Sequence, residues 1–172
     1  MKKHILFCVA LVMGTTLAIG ATAATHKHKT KADHAALTPL DLQWMPVPPV
    51  LPKGVEIAVL RGNPFEEGIF TVRLRFPAGC TIPPHWHPTI ESFTVLSGQM
   101  FVGAGNKIDK DSAKLVPTHG FSFLPALHHH YVYNEEETVI ELTAYGPFQI
   151  YYVNPAGQPT ELEGKYKTCH AT

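Results

Sequence analysis

From Val55 onward, apolar and polar positions alternate in short runs separated by glycine and proline. In "IFTVRLRF", Phe70, Val72, Leu74 and Phe76 share one face, and Thr71, Arg73 and Arg75 share the other. This period of two predicts a strand buried on one side. "VEIAVL" precedes it. "IESFTVLS" and "QMFVG" flank Gly98, and "GFSFLP", "HHYVYN", "TVIELTAY" and "FQIYYVN" continue the series. No stretch keeps a helical period for three turns, and no repeat of solenoid length appears. About eight to ten short strands with Gly and Pro turns predict an all-β sandwich or barrel. "FQIYYVN" departs from alternation. Phe148, Ile150 and Tyr152 fall on one face, Tyr151 and Val153 on the other, and neither face is polar. Both faces of this strand are therefore expected to be covered, one by the core and one by the proline-rich arm described next or by a second copy of the chain.

The pattern before Val55 is different. Lys2 and Lys3 precede an apolar run from Ile5 to Ile19, followed by Ala21-x-Ala23. That order reads as a signal peptide over residues 1–23, giving a mature chain that starts at Ala24 in the periplasm or outside the cell, with no membrane attachment after cleavage. The competing reading, a membrane anchor, meets a run that is short for a span and carries Gly14, Thr15 and Thr16. Residues 24–54 divide into a basic leader, "THKHKTKADHAA", and an arm, "WMPVPPVLPKG". The leader lacks an apolar period and reads as flexible. Its His26, His28 and His34 either hold a metal loosely or form part of a solvated tail. The arm's prolines exclude a helix interior or a central strand, so it is expected to lie extended over the domain surface. Residues 55–155 form the folded domain, and 156–172 a polar C-terminal tail.

The chain has 172 residues, which suits one domain. Lys plus Arg and Asp plus Glu are equal at 14 each, which argues against a nucleic-acid partner. Cleavage would remove Cys8 and leave Cys80 and Cys169. In an exported chain these two cysteines either pair or remain separate thiols. A bond would close a loop of nearly ninety residues and be worth about 4 kcal/mol in the chain-entropy model.

The 11 histidines change the picture, because those outside the leader concentrate mid-chain. In "GCTIPPHWHPTIESFTVLSG", His85 and His87 are two apart, which on a strand turns both imidazoles to one face. Glu91 follows the turn started by Pro88. Two imidazoles and a carboxylate on adjoining strands suit a divalent metal site with open positions, although an exposed His-x-His beside an unrelated glutamate has the same spacing. Phe93 and Val95 share the parity of Glu91, which predicts an apolar cavity wall. No Lys or Arg can be placed beside these residues, and no Ser-His-Asp or Cys-His constellation stands out.

This stretch reads Gly79, five residues, His85-x-His87, three residues, Glu91, six residues, Gly98. It resembles the first motif of the cupin superfamily in full. Pro125, His130 and Asn134 fit the spacing of the second motif. Two of its usual glycines are replaced, by His119 and Leu127. The resemblance runs from Val55 to Val153 and implies a single-domain jelly roll, the double-stranded β-helix of cupins. It also implies His130 as the metal ligand within "HHH", joining His85, His87 and Glu91. Strand parity then gives His128, with Val132, the cavity side, as a residue behind the ligands or beside a substrate, with plain exposure near the strand start as the competing reading, and turns His129 away. The implied cofactor is one divalent transition metal, with Fe, Mn, Ni, Co, Cu and Zn all compatible. The implied function is an exported metal-dependent enzyme acting on a small molecule, a dioxygenase or isomerase, with a non-catalytic metal- or ligand-binding cupin as the alternative. Pairing through outer sheet faces, as in similar cupins, implies a homodimer.

Overall fold

The alternating segment Gly68–Phe76 forms the longest early strand, β3. Phe70, Val72, Leu74 and Phe76 are all buried, as the pattern predicts. The computed structural model describes residues 35–153 and Cys169. Besides β3, its strands are β1 (Met45–Pro46), β2 (Glu56–Arg61), β4 (Thr81–Trp86), β5 (Glu91–Ser97), β6 (Gln99–Ala104), β7 (Lys114–Pro117), β8 (Phe121–Leu124), β9 (His130–Tyr133), β10 (Thr138–Gly146) and β11 (Tyr151–Tyr152). Among the described residues the only helical element is a 3-10 turn, Pro39–Asp41, and no helix is long and apolar enough to cross a membrane.

Two antiparallel sheets enclose the core. One runs β1-β2-β3-β10-β5-β8 and the other β11-β4-β9-β6-β7. The core draws Phe70 and Val72 from the first sheet and Ile82, Met100 and Val132 from the second. The fold is therefore the single-domain, all-β jelly roll that the sequence implies. On the outer face of the first sheet, Arg73 pairs with Glu141 at 3.0 Å. Arg75 pairs with Glu56 at 2.8 Å and stacks on Trp44. Both arginines thus lie away from the interior.

Three elements were not legible as strands. β4 carries Pro83 and Pro84, although it lies between β11 and β9. Its ladder with β9 is interrupted between Ile82 and His85, and the missing N–H groups fall in that break. β7 is short and mostly exposed, so it shows no alternation. The arm does more than lie on the surface: Met45 and Pro46 pair with Ile57 and Glu56 and add an edge strand to the first sheet. An edge is where a sheet tolerates proline.

Cys80 and Cys169 form a disulfide, which decides between the two readings of these residues. Cys169 also donates its N–H to the Lys53 carbonyl at 3.2 Å, tying the tail to the end of the arm. The segment expected to be a signal peptide, the leader histidines and the rest of the tail lie outside the described residues.

Candidate metal centre

The break in β4 sets the register of the site. Beyond it, His85 lies directly opposite His130 of β9, so two imidazoles meet across one strand pair. Their ring centroids are 4.1 Å apart. His87 follows just past the end of β4 on the same side. Trp86, between them, points the other way and stacks on Tyr151. Glu91 is the first residue of β5, and so enters from the opposite sheet. The short turn after His87 carries the chain from one sheet to the other and closes the site from both sides.

All four residues are buried, at 1–6% exposure. Candidate ligand atoms of His85, His87 and His130 lie within 4.8 Å of one another. Glu91 places one carboxylate oxygen 3.2 Å from His87 Nε2 and the other 3.8 Å from His130 Nε2.

Each imidazole is fixed from behind. Nδ1 of His85 lies 2.6 Å from the Pro83 carbonyl, Nδ1 of His87 2.7 Å from the Gln149 carbonyl, and Nδ1 of His130 2.9 Å from the His128 carbonyl. A carbonyl only accepts, so each Nδ1 carries the proton and donates it. In the neutral ring Nε2 is then a bare acceptor. Nε2 of His87 and of His130 are buried without a hydrogen-bond partner, facing the Glu91 oxygens. Buried acceptors facing one another are unfavourable unless a proton or a cation lies between them. Burial holds His87 and His130 down to about 4 and His85 well below its ordinary range, with neighbouring imidazoles adding to the effect for His85. Burial lifts the Glu91 carboxyl to about 8. The donor set therefore fits a divalent cation: three neutral imidazoles with backbone-fixed tautomers, and a carboxyl that a cation would ionise.

The other expectations divide. Phe93, Val95 and Val132 are buried as predicted, and Phe93 and Val132 line the cavity at the site. His128 does not present its ring there. β9 begins at His130, so strand parity does not extend back to His128, which is exposed. What His128 contributes is its carbonyl. His129 points away, towards the Asn106 side chain. Asn134 of the second motif is structural: its side chain accepts from Cys80 N–H at 3.0 Å and donates to the Pro77 carbonyl at 2.9 Å, locking the end of β9 to the turn before β4.

Two participants had no motif to mark them. Phe148 stacks on the His87 ring at 4.6 Å, and Gln149 acts only through its carbonyl. Phe148 was visible as half of an unusually apolar segment. A backbone acceptor has no sequence signal.

The family model described as the ChrR cupin-like domain matches residues 32–149, well over half of the chain. The chain belongs to this cupin family. No curated protein matches it. Among solved structures, this cupin is similar to an acetylacetone dioxygenase from Acinetobacter johnsonii, with 17% identity over 78% of this chain and 87% of that one, and a TM-score of 0.58. It is similar to the polyketide cyclase RemF from Streptomyces resistomycificus, with 14% identity over 78% and 91%, and a TM-score of 0.59. It is also similar to an RmlC-like cupin from Ralstonia eutropha JMP134, with 17% identity over 76% and 79%, and a TM-score of 0.57. At these identities the likeness is one of fold.

Proposed function

We propose that this cupin holds one divalent transition metal on His85, His87, Glu91 and His130 and acts as a metal-dependent enzyme, oxygenase-like or isomerising, on a small molecule. The observation that carries the reading is the pair of buried, partnerless Nε2 atoms facing the Glu91 carboxyl, with every Nδ1 already engaged. When bound, the ion supplies Lewis-acid polarisation of a ligand oxygen and, if redox-active, electrons for oxygen chemistry. The chain's residues do the rest. The carbonyls of Pro83, Gln149 and His128 hold the rings in one tautomer, Phe148 shields His87 from water, and Glu91 gives up its proton on loading.

The second reading, a non-catalytic metal- or ligand-binding cupin, has its own support. Apart from the candidate ligands His85, His87 and Glu91, the inner cavity is lined by apolar side chains, so among the described residues no separate general acid or base lines it. Metal analysis of chain purified without a His-tag column, followed by turnover assays after reconstitution with each candidate metal, separates the two. We expect one ion per chain and substrate-dependent turnover. Metal retained without turnover across the substrate panel favours the binding protein, and no retained metal defeats the metal-dependent enzyme and leaves only a ligand-binding cupin.

We further propose export to the periplasm or beyond. The disulfide supports this, because such bonds persist in oxidising compartments. Mass spectrometry of the exported protein should give a chain beginning at Ala24, and an intact Met1 there would refute cleavage. A homodimer is also proposed. "FQIYYVN" no longer motivates it, since Tyr151 is covered by Trp86, and Tyr152 packs inward with its hydroxyl on the Val50 carbonyl. The support comes instead from β8, an edge strand that exposes Phe121 and Phe123. Light scattering should give a dimer mass that Phe121→Glu with Phe123→Glu reduces to a monomer. A monomer mass for the unmodified chain removes the proposal.

A further inference from the structure

Two cavities meet at Phe148. The inner one, of about 40 Å³, is bounded by His85, His87 and Glu91. The outer one is about 360 Å³ and is lined by Val50 of the arm, Phe65, Phe70 and Val72, among others. Leu51, Leu74, Leu142, Phe148 and Ile150 line both, so the two cavities adjoin across these side chains. Phe148 stands at the junction, stacked on His87 and edge-on to Phe70 with ring centroids 5.6 Å apart.

Size assigns the roles. The inner cavity is on the scale of an ion with about one water, so it cannot hold an organic molecule. The outer cavity lies in the lower part of the range of small-molecule pockets, about 300–1,000 Å³. Chemistry narrows the occupant. Among the described residues the outer lining contains no Lys, Arg, His, Asp or Glu, and its polar side chains are those of Gln149 and Tyr151. Nothing there would compensate a charged ligand for lost hydration.

We infer that the outer cavity receives the body of an uncharged, predominantly apolar small molecule, and that only its polar end reaches the inner cavity. This rests on the proposed metal site for the role of the polar end, while the cavity's preference for an apolar body stands on the lining alone. The arm is then part of the binding site: Val50 and Leu51 form one of its walls, and the Tyr152 hydroxyl fixes them through the Val50 carbonyl at 2.6 Å.

The test is binding of 2-naphthol, neutral at pH 7, against naphthalene-2-sulfonate, the same ring system carrying a weakly coordinating anion. Both are titrated into the full mature chain, zinc-loaded and metal-stripped, by fluorescence and calorimetry. The neutral probe should bind at least about tenfold tighter than the sulfonate in both forms, since the lining offers a buried charge no partner. Val50 and Phe65 are half or more exposed at the mouth, so their replacement leaves the core intact. Val50→Trp should fill the mouth and Phe65→Asp should charge it, each weakening 2-naphthol at least about tenfold and several-fold respectively, with zinc stoichiometry and Tm unchanged. Equal affinities, no saturable binding of 2-naphthol, or undiminished binding in both variants would overturn the inference. Zinc retention without 2-naphthol binding defeats this inference alone. 2-Naphthol binding without zinc retention defeats the metal reading and leaves the cavity assignment standing.

Discussion

His130 donates its Nδ1 proton to the backbone carbonyl of His128, two residues earlier and 2.9 Å away. One member of the histidine triplet therefore orients another without using its own ring. His128→Ala keeps that carbonyl and should bind metal as the unmodified chain does. His129→Ala should do the same, because its ring faces Asn106. His130→Ala and His87→Ala should each abolish stoichiometric binding in equilibrium dialysis. Comparable losses across all four variants would contradict the assignment.

Metal-free chain should show a stability maximum in pH. Glu91 keeps its proton in the native state up to about 8, whereas its ordinary value is 4.5. Between those values the native state binds the extra proton, so stability falls as pH rises. The histidines act in the opposite direction. Unfolded, they titrate near 6.5; folded, His87 and His130 titrate at about 4 and His85 lower still. Stability therefore falls as pH drops from 6.5 towards 4. Below 6.5 three histidines outweigh one carboxyl, so Tm should peak near neutral pH and decline towards 8. Glu91→Gln should flatten the alkaline side. Metal loading below pH 8 should release a proton from Glu91, seen as calorimetric heats that vary with buffer.

Leu127 and His119 have positive φ, at 63° and 69°, and they are the two positions where the cupin pattern usually has glycine. The turns keep their left-handed backbone although the residue type has changed. Such a conformation costs a non-glycine residue about 1–2 kcal/mol, partly offset by the greater unfolded-state freedom of glycine. Both side chains are exposed, so little burial is lost on replacement. Leu127→Gly should stabilise by up to about 1 kcal/mol, a Tm rise of about 3 °C in calorimetry. A fall in Tm would show that the turn is not under strain. Leu127 also donates its N–H to the His87 carbonyl at 2.8 Å, so metal affinity is worth following in the same variant.

Reducing the Cys80–Cys169 disulfide, which spans 89 residues, should cost up to about 4 kcal/mol. The loss should be local at first. Amide exchange should rise around Lys53 and Val55, where the tail is tied to the arm, before it rises in β3 or β10. Unchanged exchange at the arm on reduction would show that the Cys169 contact does not hold it.

The sequence by itself determined the class of fold, because burial on one face of a strand must repeat every two residues. β3 shows this from Phe70 to Phe76, and β10 repeats it from Thr138 to Ala144. It also offered His85, His87 and Glu91 as candidate ligands, and the resemblance to the cupin motifs added His130. β4 was hidden because Pro83 and Pro84 erase the strand signal, and the ladder break that accommodates them cannot be read from residue types. Between the two readings of His128 only the structure could choose, and it chose exposure: parity holds only inside a strand, and where β9 starts is set by its pairing with β4 and β6. Tertiary structure alone decided that Glu91 arrives from the opposite sheet, that Cys80 meets Cys169, and that three backbone carbonyls fix three imidazoles. The physical reason is shared. Periodicity is local and is written in side chains, whereas register, disulfide pairing and carbonyl direction arise only when distant segments pack.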